Sequence, residues 1–183
     1  TTANKDTNEP TILPHVFFEK FRKGWRPQQQ LRTEISALQL DNDQDHDYAR
    51  WSGVLEVAED IPLTQGIGNY SASLMANYYE IHSQSSNTSS KLGTIAHTNP
   101  SVSLGWRMPV AVSSFGRMAI IEPKAQVTHV GGNDRTDDIP NRDAAEYRID
   151  EANLFLAHRY QGKDYILPGT RVDAGVGTTA NDQ

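Results

Sequence analysis

The sequence predicts an all-β fold, an antiparallel meander of about seven strands. Three observations predict it. Apolar and polar residues alternate with a period of two through most of the chain. The alternating segments, such as Tyr48–Ala58 and Tyr70–His82, exceed the roughly five or six residues usual in soluble sheets. Helical signals are confined to Arg142–Leu156, which has room for a turn or two.

After a polar lead-in over residues 1–11, Pro14–Phe21 alternates least cleanly and is the first predicted strand. Gln30–Leu40 then sets Leu31, Thr33, Ile35 and Ala37 against Arg32, Glu34 and Ser36. In Tyr48–Ala58, Ala49, Trp51, Gly53, Leu55 and Val57 oppose Arg50, Ser52 and Glu56. Tyr70–His82 sets Ala72, Leu74, Ala76 and Tyr78 against Ser71, Ser73 and Asn77. Ser101–Met108 opposes Val102, Leu104, Trp106 and Met108 to Ser103, Gly105 and Arg107. In Ala119–Val130, Ile121, Ala125 and Val127 face away from Glu122, Lys124, Gln126 and Thr128. Arg171–Gly177 is a short last strand. Successive strand side chains point to opposite faces, so each segment has one apolar and one polar side. The predicted breaks are Lys23–Gln29, Asp41–Asp47, Asp60–Asn69, Ser83–Asn99, Pro109–Arg117 and Gly131–Asp150. They run loosely short and long in turn, as in a meander with tight turns at one end and longer loops at the other.

Pattern alone leaves two architectures open, a soluble sandwich and a membrane barrel. Long strands favour the barrel, because a tilted membrane crossing takes about 9–11 residues. Trp25, Tyr48, Trp51, Tyr70, Tyr78, Tyr79 and Trp106 lie near strand ends and would form interfacial girdles in a barrel, or core aromatics in a sandwich.

Composition sets further bounds. The formal net charge is −6, from 17 basic and 23 acidic residues, which argues against a nucleic-acid binder held by phosphate contacts. Hydrophobic content of 37% is low for a soluble domain, and a barrel with a polar lumen tolerates it. Three Trp, seven Tyr and five Phe argue against a wholly disordered chain. With no cysteine there is neither a disulfide framework nor a thiolate metal site. The start TTANKDTNEP is polar where a secretory leader is basic and then apolar, so the chain is expected to be a mature or internal piece.

No motif supports catalysis, and neither an enzyme nor a cofactor is expected. Asp41–Asp47 (DNDQDHD) begins like a calcium loop, but His46 stands where the glycine belongs and Ser52 where the bidentate glutamate belongs. It reads as a solvated acidic loop. His15, His46, His82, His97, His129 and His158 are dispersed without metal-site spacing. Ser113 and Ser114 lack a nucleophile elbow, and Gly66-Ile67-Gly68 reads as a turn. Glu56, Glu59 and Glu122 beside Arg or Lys read as strand-borne ion pairs rather than catalytic carboxylates. On this reading Arg32, Glu34, Arg50, Glu56, Arg107, Glu122, Lys124 and Gln126 line the lumen of a barrel. The acidic loop at 131–152 holds Asp137, Asp138, Asp143, Glu146, Asp150 and Glu151 around Arg142 and Arg148.

Residues 139–177 carry a more specific pattern: Pro140-Asn141-x-Asp143, Asp150, Asn153-Leu154-Phe155, Arg159-Tyr160-x-Gly162-x-Asp164, and Gly169-x-Arg171. This run resembles the C-terminal barrel domain of the LPS-assembly outer-membrane proteins (the LptD/OstA/Imp family). Looser similarity extends upstream through Gly66–Tyr79, Pro100–Pro109 (ending W-R-x-P) and Ile121–Gln126 (E-P-x-A-Q). Arg142 replaces a usual acidic residue, and Lys163 and Tyr165–Pro168 also depart from the commoner pattern. The resemblance implies that residues 12–183 are an internal slice of a large transmembrane outer-membrane β-barrel of about 26 strands, which the roughly seven strands predicted here are too few to close. It also implies a place in the cell outer membrane and a role in inserting lipopolysaccharide into the outer leaflet. The implied partners are lipopolysaccharide, a plug lipoprotein, the periplasmic LPS-transport bridge through an N-terminal domain, and outer-membrane lipid, with no nucleic acid. A passive porin-like barrel and a soluble β-sandwich binding module are the alternatives. The ending TTANDQ lacks a terminal aromatic, as expected of an internal slice.

Overall fold

The computed structural model describes residues 11–41, 47–82, 93–114, 117–132, 139, 153–156 and 162–180. They form eight strands: β1 (Thr11–Lys23), β2 (Gln29–Asp41), β3 (Tyr48–Pro62), β4 (Ile67–Ile81), β5 (Gly93–Arg107), β6 (Val110–Ser114), β7 (Arg117–Val130) and β8 (Gly169–Ala180). All pairings are antiparallel, in one sheet that curls like half a barrel. β5 and β6 both pair with β7, at Ser101–Arg107 and at Val110–Ser114, so together they act as one long strand. The interruption at Met108-Pro109 is held by a bond from the Met108 N–H to the Pro123 carbonyl (3.1 Å). In effect the sheet is a seven-rung meander, with β1 and β8 at its edges.

Several predicted breaks are shorter than expected. Pro109–Arg117 contains β6, and Gly93–Pro100 is the first half of β5. Proline removes a ladder donor and lowers the strand signal of its neighbours, while β4 still pairs with all of Gly93–Arg107. β1 runs on to Lys23, β3 to Pro62, and β4 starts at Ile67. Gly66, with φ at 93°, makes the turn between β3 and β4. Within the predicted helical turn, Asn153–Phe155 forms a hydrogen-bonded turn closed by the Leu156 N–H on the Asn153 carbonyl (3.0 Å); residues 142–152 lie outside the described residues.

The connections at 24–28, 63–66 and 115–116 are short and share one end of the sheet. Those at 42–47, 82–92 and 131–168 are longer and share the other. The short hairpins close at Lys23↔Gln30, Pro62↔Ile67 and Ser114↔Arg117. Each is displaced in the same direction along the sheet from the one before. Such a steady drift of strand ends is the stagger that tilted barrel strands require.

Burial is the reverse of a soluble sheet. Ser52 is 4% exposed and its neighbour Trp51 58%; Ser103 is 3% exposed and Leu104 63%. Asn77, Asn99, Ser101, Gln126, Thr128 and Asp173 are also buried, whereas Ile35, Leu55, Leu74, Val102, Val127, Val172 and Val176 are exposed. The register places each set on a single face. The open face is therefore apolar and the sheltered face polar. A continuous exposed apolar surface of this extent marks contact with lipid or another apolar phase.

On the open face, Trp51 pairs directly with Tyr78 near the long-connection end, while Tyr70 and Trp106 lie toward the short-turn end. Tyr70 to Tyr78 spans about 26 Å at roughly 3.3 Å per residue. Strands tilted by about 40° reduce that to about 20 Å along the barrel axis, close to the apolar band of roughly 25 Å in membrane barrels. Tyr48 and Tyr79 correct the expected girdle: both are fully buried on the sheltered face. Each shares the parity of polar neighbours, Arg50 and Asn77, and so points the other way.

Candidate functional site

The sheltered face gathers charged and polar residues from β2, β3, β5 and β7. Arg32, Glu34, Arg50, Glu56, Arg107, Glu122, Lys124 and Gln126 all lie on it, as the i, i+2 periodicity and the register require. Arg32 on β2 is directly opposite Glu56 on β3. It meets three carboxylates: Glu19 through Nε (2.6 Å), Glu34 through Nη2 (2.5 Å) and Glu56 through Nη1 (3.2 Å). A second network lies nearer the short turns. There Arg107 reaches Asp60 (2.9 Å) and Glu122 (3.5 Å), and Lys124 also reaches Glu122 (3.5 Å). Arg107 and Lys124 are register partners of like charge, and the two carboxylates offset their repulsion.

The described parts of the β7–β8 connection return over this face. Asp164 is at the centre. Its carboxylate accepts from Tyr48 Oη (2.8 Å), Arg50 Nη1 (2.5 Å) and Tyr79 Oη (3.0 Å). The Arg50 and Asp164 side chains are 5% and 0% exposed. A carboxylate is tolerated at such burial only when paired and fully hydrogen-bonded, and two phenols and a guanidinium supply this. Beside it, the Lys163 ammonium bonds Glu34 and Ser36 Oγ, and the Lys163 carbonyl accepts from Asn77 Nδ2 (3.1 Å). Gly162, with φ at 80°, allows the chain to turn just before these two residues. Ile166 then packs against Met75 and Val130, while Ile139 joins Tyr48, Tyr79 and Ile81. These two small clusters hold all the buried apolar side chains among the described residues.

A second anchor forms at Asn153–Phe155. The Phe155 carbonyl accepts from Gln126 Nε2 (2.8 Å), whose amide also donates to Thr128 Oγ1 (2.9 Å). Leu154 and Phe155 sit over Gly175 of β8, where a Cβ would just reach van der Waals contact with both and a larger side chain would press on them. A pocket of about 280 Å³ remains between them and Glu122, Lys124 and Gly177. Arg171 on β8 donates through Nε to Asp173 (2.8 Å), and Gly169 opens that strand with φ at 143°.

Of the motif residues, Asn153, Leu154, Phe155, Gly162, Asp164, Gly169 and Arg171 are placed by the structure; Asn141, Asp143, Asp150 and Arg159 lie outside the described residues. So do most of the acidic segments at 42–46 and 133–151. No group of three or more His, Asp or Glu that could hold a metal ion occurs among the described residues. Among the described residues no helix is long and apolar enough to cross a membrane, which leaves membrane-crossing strands untouched. The roles of Tyr48, Tyr79 and Lys163 were not read from the sequence. A signal for the tyrosines was present in their parity with Arg50 and Asn77.

Residues 1–183 match a family model described as "LptD: LPS transport system D". No curated protein matches the chain.

Proposed function

The chain belongs to the LptD (LPS transport system D) family, and on that premise we propose that it is a stretch of wall in an outer-membrane barrel that inserts lipopolysaccharide into the outer leaflet. The family is one of transport and assembly at the outer membrane rather than of enzymes, and the chain has a role in that transport. The observation that carries the finer reading is the inverted sheet: exposed residues are apolar and buried ones polar, along strands long enough to cross a bilayer. In this reading the open face meets lipid and the sheltered face lines the lumen. Residues 12–183 are then part of the barrel domain, and the returned segment narrows its interior.

The whole protein receives lipopolysaccharide from a periplasmic bridge, with no bond made and no cofactor used. A plug lipoprotein rests on the sheltered face near Arg107 and Asp60, whose side chains are accessible among the described residues. The family and the charged, partly accessible character of that region support this reading.

Depletion of the full-length protein in its host tests the reading. Surface lipopolysaccharide should fall while the same molecule accumulates in the inner membrane. Unchanged surface lipopolysaccharide would overturn it. Ion conductance by the purified barrel without any effect on lipopolysaccharide would point instead to a passive pore.

A further inference from the structure

The open face of the β1–β2 hairpin departs from the apolar pattern around it. Register places Lys20 opposite Thr33 and Arg22 opposite Leu31, both on the open face, whereas Glu19 and Phe21 point to the sheltered side. Lys20 and Arg22 have no carboxylate partner among the described residues. Just beyond them the turn projects Trp25, 91% exposed, and Arg26, whose side chain is 67% exposed.

This turn is held by a buried polar chain on the same face. Gln29 Oε1 accepts from the Trp25 backbone N–H (2.9 Å) and Gln29 Nε2 donates to Tyr70 Oη (2.9 Å). Tyr70 Oη donates to Glu59 Oε2 (2.7 Å), and that oxygen is 3.5 Å from Arg26 Nη1. Gln29 lies so close over Gly24 that a Cβ there would collide with its Oε1. The backbone adds bonds from the Gly24 N–H to the Gln29 carbonyl (2.8 Å) and from the Gln29 N–H to the Arg26 carbonyl (3.1 Å). An isolated hairpin tip has no need of three side chains from three strands to fix it. Here they fix a tryptophan and an arginine at the rim of an apolar face.

We propose that Lys20, Arg22 and Arg26, with Trp25 beside them, form a binding site for the phosphate headgroup of an anionic glycerophospholipid in the leaflet at the short-turn side of the barrel. The inference rests on the reading of the open face as lipid-facing. Three cations against the single Glu59 carboxylate complement an anionic headgroup. Lysine and arginine stems lie along acyl chains while their heads reach the interface, and an indole ring settles at the same level. Short turns mark the periplasmic side of such barrels, which selects a glycerophospholipid over the lipopolysaccharide of the outer leaflet.

Native mass spectrometry of the full-length protein in detergent tests the site, with phosphatidylglycerol, phosphatidylcholine, lipopolysaccharide and inorganic phosphate as separate probes. Wild type should retain phosphatidylglycerol in preference to phosphatidylcholine. The K20Q/R22Q/R26Q variant should lose about tenfold in that retention, since each basic residue at a membrane surface adds to the attraction. R22K/R26K should keep it. The heat-modifiable folded band of each variant reports whether the barrel has assembled; if the triple variant does not fold, R26Q alone should show a smaller loss. Equal retention by wild type and the folded variants would overturn the site. So would residue-dependent binding of lipopolysaccharide instead of phosphatidylglycerol, or of inorganic phosphate alone. Any of these outcomes, combined with a fall in surface lipopolysaccharide on depletion, would remove the site and leave the transport reading standing.

Discussion

Arg50 and Arg107 occupy the same face of one sheet and both pair with carboxylates, yet they serve differently. Arg50 is under the returned segment, 5% exposed, against a carboxylate with no exposure at all. Arg107 is 40% exposed, between Asp60 and Glu122. A buried pair has lost its hydration and depends on each partner, whereas an exposed pair is rehydrated when broken. The returned segment thus converts an ordinary strand-borne cation into an anchor. Toward the short turns the same chemistry stays accessible.

The largest expected effect comes from breaking the anchor. Asp164→Ala leaves Arg50 buried without its carboxylate and should cost on the order of 3–5 kcal/mol. Thermal loss of the SDS-resistant folded form of the full-length protein would measure it. Leu74→Arg, on the opposite face, should cost about 2–4 kcal/mol near the midplane, and Ser73→Arg, on the polar face, much less. Equal assembly of the two would mean that the faces are misassigned. Gly175→Val should push Leu154 and Phe155 off β8 at about 1–3 kcal/mol, with increased proteolytic cleavage in the 131–168 connection as the readout. Glu122→Gln, in the accessible network, should shift stability by less than about 1 kcal/mol. A loss as large as that of Asp164→Ala would erase the contrast between the two arginines.

The fold was legible because period-two alternation survives wherever one face is apolar, as in Tyr48–Ala58 and Ala119–Val130. It faded where proline or small polar residues interrupt it. Pro100 obscured the first half of β5, and Pro109 with Ser113-Ser114 hid β6. The anchor was half legible. Asp164 stood out in a motif and Arg50 in a strand, but their pairing joins positions 114 residues apart, which spacing does not encode. Tyr48 and Tyr79 were misplaced because an aromatic near a strand end suggests an interface, although their parity already set them with the polar residues.

The central claim is that the open face meets lipid and the sheltered face does not. The chain has no cysteine, so each thiol introduced into it is unique within it. Spin labels placed singly from Trp51 to Leu55 and from Leu74 to Tyr78, in a full-length protein whose other cysteines are replaced, test the claim most directly. Collision with oxygen, which concentrates in the bilayer, should peak at Trp51, Leu55, Leu74 and Tyr78 and drop at Ser52 and Asn77. Loss of the period of two, or preferential collision of the open-face labels with a water-soluble nickel complex, would contradict it.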